Sequence, residues 1–276
     1  MPLNINPITN HREREKGVIV YPVYSRRSAG LSIGINLFPD KKSCAFDCPY
    51  CEVFPFSVNS SFSFEQMQED LSAAVSSAHR QNIPINDICF SGNGEPTLSP
   101  FFIEAFNLAE NIRAQEAPHA QLVIITNATG LLQPDVFSFL ENAAKNPLVN
   151  IWLKLDAGTP GWYQKMNRCA LPFDNLIKKI KEFSACAAVT IQTMLCAVNA
   201  ETAPQEETLA WEKLVLALAE NASGAVRKVQ LYGKARPAPE DPLASPLERE
   251  YLEKRADSLR YALSRNSLSI PVEVYL

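Results

Sequence analysis

Three cysteines stand within eight residues of this chain, at positions 44, 48 and 51, in the spacing C-x3-C-x2-C. Thiolates are ligands for zinc and for iron–sulfur clusters, so the loop is typical of a metal centre. A structural zinc site closes with four ligands, whereas an iron–sulfur cube held by three cysteines leaves one iron open. We therefore expect chemistry at an open iron beside Cys44, Cys48 and Cys51.

Two other interpretations of this loop stay open. A zinc site would need a fourth ligand, for which Cys89 and His79 are candidates, and the three cysteines could also be unrelated core residues. The chain has seven cysteines in all, and the four outside the loop are scattered without a pattern. An odd number of cysteines, most of them without regular spacing, does not indicate a disulfide framework. This composition fits a reducing compartment.

A second segment with chemical potential follows a short apolar run. Two glycines flank an asparagine there, and a carboxylate follows them. Glycines allow a positive φ or a close approach of the backbone, and exposed amides with a carboxylate suit an ammonium group. An ordinary tight turn before a helix is the alternative. The residues concerned are Ser91, Gly92, Asn93, Gly94 and Glu95.

Polar side chains also alternate with apolar ones along several predicted strands. In the run 151–156, Lys154 and Asp156 fall on one face and the aliphatic residues on the other. The same alternation places Gln192 and Tyr232 on the polar faces of their predicted strands, and Asn127 ends another strand. A strand covered on both faces is nearly all apolar, so these residues indicate a polar interior, unless Lys154 and Asp156 form an ion pair within the core.

The elements that position these residues follow the pattern of βα units, in which short β-branched runs alternate with longer amphipathic stretches. Six consecutive units with right-handed connections give an open doubly wound sheet or a partial barrel, and both place their sites at the carboxyl ends of the strands. The polar faces favour the barrel. The predicted strands are 31–37, 87–91, 121–126, 149–156, 188–195 and 226–232, with a last strand near 270–274.

Helix-start signals lie between the strands. Ser63 and Gln66 form a capping-box pattern, and the helical spacing that follows ends near Pro84. A capping serine precedes a proline at Ser99-Pro100 and at Ser245-Pro246, where Glu248 completes a box. Further helices are predicted from Gln133-Pro134 onward and over 173–185 and 207–222.

Length and composition suit one α/β domain over residues 1–276, with an extension to residue 30, a barrel core at 31–235 and a terminal helix and strand at 236–276. The apolar fraction is 46% of 276 residues. The start has no hydrophobic signal region, so we expect a cytoplasmic protein without a membrane partner. A net charge of −4 gives no general attraction to nucleic acid, and no DNA partner is expected.

Together these features resemble the radical S-adenosylmethionine (radical SAM) superfamily. Its C-x3-C-x2-C loop with an aromatic residue before the last cysteine matches Cys44, Cys48, Tyr50 and Cys51. Other stretches are similar to a subgroup related to the wyosine-forming tRNA enzymes. Those stretches are 25–27, 31–36, 90–98, 152–158 and 230–237.

The resemblance implies a partial (β/α)6 barrel and a 4Fe-4S cluster on the three loop cysteines. S-adenosylmethionine (SAM) would bind the fourth iron through its amino and carboxylate groups, with the Ser91 to Glu95 segment at the amine and Asn127 or Asp156 at the ribose. A reduced cluster would split SAM and release a 5′-deoxyadenosyl radical. The resemblance also implies a flavodoxin or ferredoxin as electron donor.

The chain departs from the superfamily's pattern in ways that leave the substrate unassigned. Gly92-Asn93-Gly94 stands where the superfamily has paired glycines, and no cysteine before Cys44 matches the second cluster of the wyosine enzymes. We expect a small molecule, a peptide or a tRNA as the substrate, with Lys154, Gln192 and Tyr232 as candidate catalytic residues of the interior. An activator of glycyl-radical enzymes shares the cysteine loop, and a non-catalytic zinc or interaction protein is the alternative of another class.

Overall fold

A computed structural model describes residues 17–221, 225–236, 238 and 241–276. The expectations for the chain start and for Pro237 lie outside these residues. The chain divides into two compact units. The first comprises Met1–Cys44, Val53–Thr126 and Lys145–Asn150, and the second comprises Ala45–Glu52, Asn127–Ala144 and Ile151–Leu276. The single-domain organisation stays a prediction.

The first unit is built on a short run of parallel strands edged by a hairpin. Its elements are β1 (Val20–Ser25), β2 (Gly30–Ile35), α1 (Phe64–Arg80), β3 (Ile85–Phe90), α2 (Phe102–Glu116) and β4 (Gln121–Thr126). Strand β1 pairs antiparallel with β2, and β2, β3 and β4 then pair in parallel in that order. The pairing of β1 was not predicted, because its run lies within the extension expected up to residue 30.

The second unit continues the same alternation. Its elements are α3 (Pro134–Ala143), β5 (Val149–Lys154, of which this unit holds the residues from Ile151 onward), α4 (Pro160–Met166), α5 (Phe173–Ser184), β6 (Val189–Leu195), β7 (Ala197–Val198), α6 (Gln205–Asn221), β8 (Val226–Gly233), β9 (Ala244–Ser245), α7 (Arg249–Arg265) and β10 (Val272–Tyr275). Strands β5, β6, β8 and β10 pair in parallel in that order, and β7 pairs antiparallel with β9. Parallel strands with intervening helices in both units confirm the α/β class.

The helix-start patterns predicted a helix correctly where the capping side chain forms a hydrogen bond with the backbone. The hydroxyl of Ser63 accepts from the Gln66 N–H at 3.2 Å, as the capping-box pattern predicts. The box predicted at Ser245 is wrong, because Ser245 belongs to β9 and α7 begins only at Arg249 with no side-chain cap. Helix α4 was missed, although Thr159 caps it in front of Pro160.

Trp211 anchors α6 in the core of the second unit. Its side chain is 1% exposed, and its indole N–H donates to the Leu155 carbonyl at 2.9 Å. The guanidinium of Arg255 lies 5.4 Å from the ring centroid. The tryptophan thus joins the end of β5 to two helices.

Replacing Trp211 by alanine is expected to lower the free energy of unfolding by about 3–5 kcal/mol, because it removes a large buried ring and leaves the Leu155 carbonyl without its donor. Chemical denaturation of the two proteins measures the difference. Leu209 on the same helix is 56% exposed, so Leu209→Ala is the matched control and should cost under about 0.5 kcal/mol. Equal losses in the two variants would contradict the anchoring role.

Within the described residues, no helix has the length and apolar character that crossing a membrane requires.

Candidate active site

The three loop cysteines differ in exposure from most of the other cysteines. Cys44 is exposed, and Cys48 and Cys51 are half-buried. The Cys51 N–H donates to the Cys48 carbonyl at 3.0 Å, which closes a tight turn between them. Three of the remaining cysteines are buried and one, Cys186, is exposed.

The donor set fits a 4Fe-4S cluster, because each thiolate of such a cluster binds its own iron and three lie on one accessible loop. No group of three or more His, Cys, Asp or Glu side chains within the described residues converges to hold a single metal ion. His79 is an exposed residue in the last turn of α1, and Cys89 is buried within β3. Both residues named as fourth zinc ligands therefore belong to regular elements.

The glycine-containing segment lies directly beside the start of the cysteine loop. The Ser43 N–H donates to the Asn93 carbonyl at 2.9 Å, and the Glu95 N–H donates to the Ser43 carbonyl at 2.9 Å. These bonds form a parallel bridge between Ser43 and Gly94. The first unit therefore holds the Ser91 to Glu95 segment against the residue that precedes Cys44.

Both glycines of the segment do what the sequence predicts for glycine. Gly92 has a φ of +127°, which residues with a side chain rarely adopt. A Cβ on Gly94 would lie 1.8 Å from the Ser43 carbonyl oxygen. One glycine therefore permits the turn, and the other permits the close approach of two backbones.

Asn36 organises this turn and was not singled out as a site residue. It is 1% exposed, and its Oδ1 accepts from the Asn93 N–H at 3.1 Å and from the Phe38 N–H at 3.2 Å. Its Nδ2 donates to the Val18 carbonyl at 2.9 Å. The signal that was available is its position directly after a strand, next to the cysteine loop.

The two polar ends of the segment also have partners within the first unit. The hydroxyls of Ser91 and Tyr21 are 2.7 Å apart. Glu95 is 3% exposed, and its Oε1 accepts from the hydroxyls of Thr97 at 2.6 Å and Thr126 at 2.8 Å. The carboxylate is thereby held rigidly at the carboxyl end of β4.

In the second unit, a hydrogen-bonded cluster surrounds the middle of the cysteine loop. The Tyr50 hydroxyl donates to Asp156 Oδ2. The Asn167 side chain donates to Asp156 Oδ2 at 3.0 Å and lies 3.5 Å from Cys48 Sγ. Asp156 Oδ1 also accepts from the Met194 N–H at 2.9 Å. Asp156 is therefore the shared acceptor that fixes Tyr50 and Asn167 beside Cys48.

Lys154 extends this cluster. Its ammonium donates to the Tyr232 hydroxyl and lies 3.5 Å from Asp156 Oδ2. It also lies 5.0 Å from the ring centroid of Tyr50 and 5.1 Å from that of Tyr232. Burial acts to lower the pKa of Lys154, but Asp156, Tyr232 and Cys48 outweigh it and hold the pKa above its usual value. The side chain of Lys154 is therefore held in its protonated, positively charged form.

The same surroundings affect Cys48 in the metal-free protein. Burial first, and then the negative charge of Asp156, raise the pKa of this thiol to about 12. Since a metal ligand must be a thiolate, uptake of a metal centre at Cys48 would release a proton.

Searches against known proteins give short matches in sequence and long ones in structure. No protein-family model matches the chain. A UPF0026 protein of Helicobacter pylori strain 26695 is 35% identical over 98 residues, which cover 33% of this chain and 30% of that protein. Its counterpart in strain J99 is 34% identical over 93 residues, covering 32% of this chain and 28% of that protein. The chain thus spans less than a third of the length of these curated relatives.

A radical SAM methyltransferase from Sphaerobacter thermophilus superposes with a TM-score of 0.64, at 16% identity, over 92% of this chain and 68% of its own. The chain has the radical SAM fold. Streptococcus suis SuiB, solved with its precursor peptide SuiA, matches at a TM-score of 0.64 and 14% identity over 90% of this chain and 50% of its own. TYW1, solved with a lysine-pyruvate adduct, matches at 0.53 and 14% identity over 83% of this chain and 73% of its own.

The radical SAM fold confirms the partial-barrel prediction and the α/β class. The structure also shows which partners the polar strand residues contact that were predicted from strand alternation. Gln192 and Gln230 are 0% exposed and hydrogen-bonded to each other at 2.7 Å. The second unit thus brings Lys154 together with Tyr232, and Gln192 together with Gln230, while the Lys154–Asp156 ion pair of the alternative interpretation is also present.

Asn127 is hydrogen-bonded within the turn that follows β4. It is 3% exposed, and its Oδ1 accepts from the N–H of Thr129 at 3.0 Å and from the Thr129 hydroxyl at 2.6 Å. The side chain thus shapes the turn that follows the end of β4.

Proposed function

We propose that this protein is a radical SAM enzyme that reductively cleaves SAM and uses the resulting radical on a substrate that is still unassigned. The observation that carries the proposal is the backbone pairing of Ser43 with Asn93 and Glu95, which keeps the glycine segment beside the cysteine loop. In this proposal, the residues of the loop hold a 4Fe-4S cluster and the neighbouring amides receive the polar end of SAM. SuiB, which shares this fold, has also been solved with SAM bound.

A bound, reduced 4Fe-4S cluster would supply the electron that splits SAM into methionine and a 5′-deoxyadenosyl radical. The chain's own residues would do the rest. Cys44, Cys48 and Cys51 would provide the ligands, the Ser91 to Glu95 segment would bind the SAM amine, and Asn127 or Asp156 would bind the ribose. Asn36, through its bond to the Asn93 N–H, would keep the Ser91 to Glu95 segment in place without reorganisation during the reaction.

The proposed substrate-binding residues are Lys154 with its partner Tyr232, and Gln192 with its partner Gln230. An ammonium that stays charged and sits between two aromatic rings suits a substrate with an acceptor group, such as a carboxylate, carbonyl or phosphate. SuiB was solved with a peptide and TYW1 with a lysine-pyruvate adduct. A peptide, a small molecule and a tRNA are all proposed substrates here, with a flavodoxin or ferredoxin as the electron donor.

The test uses protein that has been purified and reconstituted with iron and sulfide under anaerobic conditions. Incubation with SAM and dithionite is expected to release 5′-deoxyadenosine, measured by chromatography, and omission of the reductant is expected to abolish the release. The reconstituted protein should be brown. A colourless protein with one tightly bound zinc, and no 5′-deoxyadenosine under reducing conditions, would establish the metal-binding alternative instead.

A further inference from the structure

Asn167 makes four hydrogen bonds: one closes the end of α4, and the other three reach the cysteine loop and Asp156, the second residue after β5. It follows directly on α4 and is 2% exposed. Its backbone carbonyl accepts from the Asp47 N–H at 2.9 Å, and its backbone N–H donates to the Tyr163 carbonyl at 2.8 Å. Its side-chain nitrogen lies 3.5 Å from Cys48 Sγ and 3.0 Å from Asp156 Oδ2.

An asparagine is well suited to this position. The Nδ2 group carries two N–H donors, so it serves the sulfur and the carboxylate at the same time. A leucine has a similar shape but no donor, and an aspartate would place a second negative charge against Asp156. The position therefore requires a neutral side chain with two donors.

The contact with sulfur has a consequence for electron transfer. A hydrogen bond to a cluster thiolate stabilises the state with more negative charge, which is the reduced cluster, and so makes the reduction potential less negative. The backbone bond to Asp47 fixes the loop at the residue before Cys48. Asn167 therefore holds the loop at Cys48, and its N–H would favour negative charge on the sulfur.

We propose that Asn167 is a positioning residue for Cys48, and that its N–H raises the reduction potential of the cluster. This inference rests on the proposed function, because it concerns the same cluster. It adds a residue 119 positions from Cys48 in the chain to the set that governs reduction of SAM.

The experiment compares Asn167→Ala and Asn167→Leu with the unchanged protein, all reconstituted anaerobically. The midpoint potential is measured by redox titration followed by electron paramagnetic resonance. Loss of the N–H is expected to lower the ratio of reduced to oxidised cluster about tenfold at a fixed poise, which is about 59 mV more negative for a one-electron couple. Lys165→Ala, in the helix that Asn167 directly follows, is the control, because Lys165 pairs on the surface with Glu201. The potential of this variant should match that of the unchanged protein.

The outcomes separate this inference from the proposed function. If the unchanged protein assembles no cluster and cleaves no SAM, both fail. If it does both and the two Asn167 variants keep its potential, only the role of Asn167 is overturned. Thermal unfolding of the metal-free variants identifies one that does not fold, and Asn167→Leu, which keeps the side-chain volume, then decides the case.

Discussion

Replacing Cys44, Cys48 or Cys51 by alanine is expected to abolish the reductive release of 5′-deoxyadenosine. Each variant would leave only two thiolates for a cluster that needs three protein ligands to keep a single open iron. Changes in residues that only support metal ligands already cost about 10–100-fold, so loss of a ligand should exceed a hundredfold. Iron content, the visible absorption of the cluster and 5′-deoxyadenosine are measured on each reconstituted protein.

The matched control is Cys186→Ala, because Cys186 is also exposed and lies outside the loop. It should keep the iron content and activity of the unchanged protein. Thermal unfolding of the metal-free variants shows whether any loss is one of folding. A Cys48→Ala protein that retained full cluster absorption and SAM cleavage would remove the basis of the proposed function.

Most of the fold could be predicted because each strand has a recognisable pattern in its local sequence. All six predicted strands of the repeated units are present, and β4 has the predicted bounds Gln121–Thr126. The predicted strand at 149–156 is two residues too long, because Leu155 and Asp156 already serve other groups: the Leu155 carbonyl binds Trp211, and Asp156 binds Tyr50. Tertiary contacts of this kind have no signature in a short window of sequence.

The errors at element starts have a common physical cause. A serine before a proline marks a place where a helix can begin, but the backbone can use it differently. The Ser99 hydroxyl does accept from the Phe101 N–H at 3.2 Å, but α2 begins only at Phe102. Ser245 instead pairs with Ala197 in the two-residue strand β9. The antiparallel pairing of β1 was missed because a hairpin beside a parallel sheet breaks the βα alternation on which the prediction rested.

The candidate site was predictable where residue spacing carries the chemistry. The C-x3-C-x2-C spacing identifies the loop, and the glycines at 92 and 94 identify a tight backbone segment. Asn36 and Asn167 carried no comparable signal. Their roles come from side-chain amides that satisfy distant groups, and a single asparagine in a sequence is far more often a turn or surface residue.

Gly94→Ala is expected to have the second largest effect on the proposed activity. The new Cβ would lie 1.8 Å from the Ser43 carbonyl oxygen and 2.9 Å from Phe38 Cδ2. To remove this steric overlap, the two backbones must separate. This separation breaks the hydrogen bonds from the Ser43 N–H to the Asn93 carbonyl and from the Glu95 N–H to the Ser43 carbonyl. We expect a loss of about 3 kcal/mol in the free energy of unfolding, and weaker SAM binding in the reconstituted protein.

Gly161→Ala provides a matched control, since a Cβ built on Gly161 meets no atom within 4 Å. Gly161 lies in α4, where alanine is favoured over glycine by up to about 1 kcal/mol, so this variant should be unchanged or slightly more stable. Denaturant unfolding gives the stabilities, and equilibrium dialysis with labelled SAM gives the affinities. If Gly94→Ala bound SAM as tightly as Gly161→Ala, the pairing at Ser43 would not govern the SAM site, because a strand pairing pushed apart cannot keep its amides in place for a ligand.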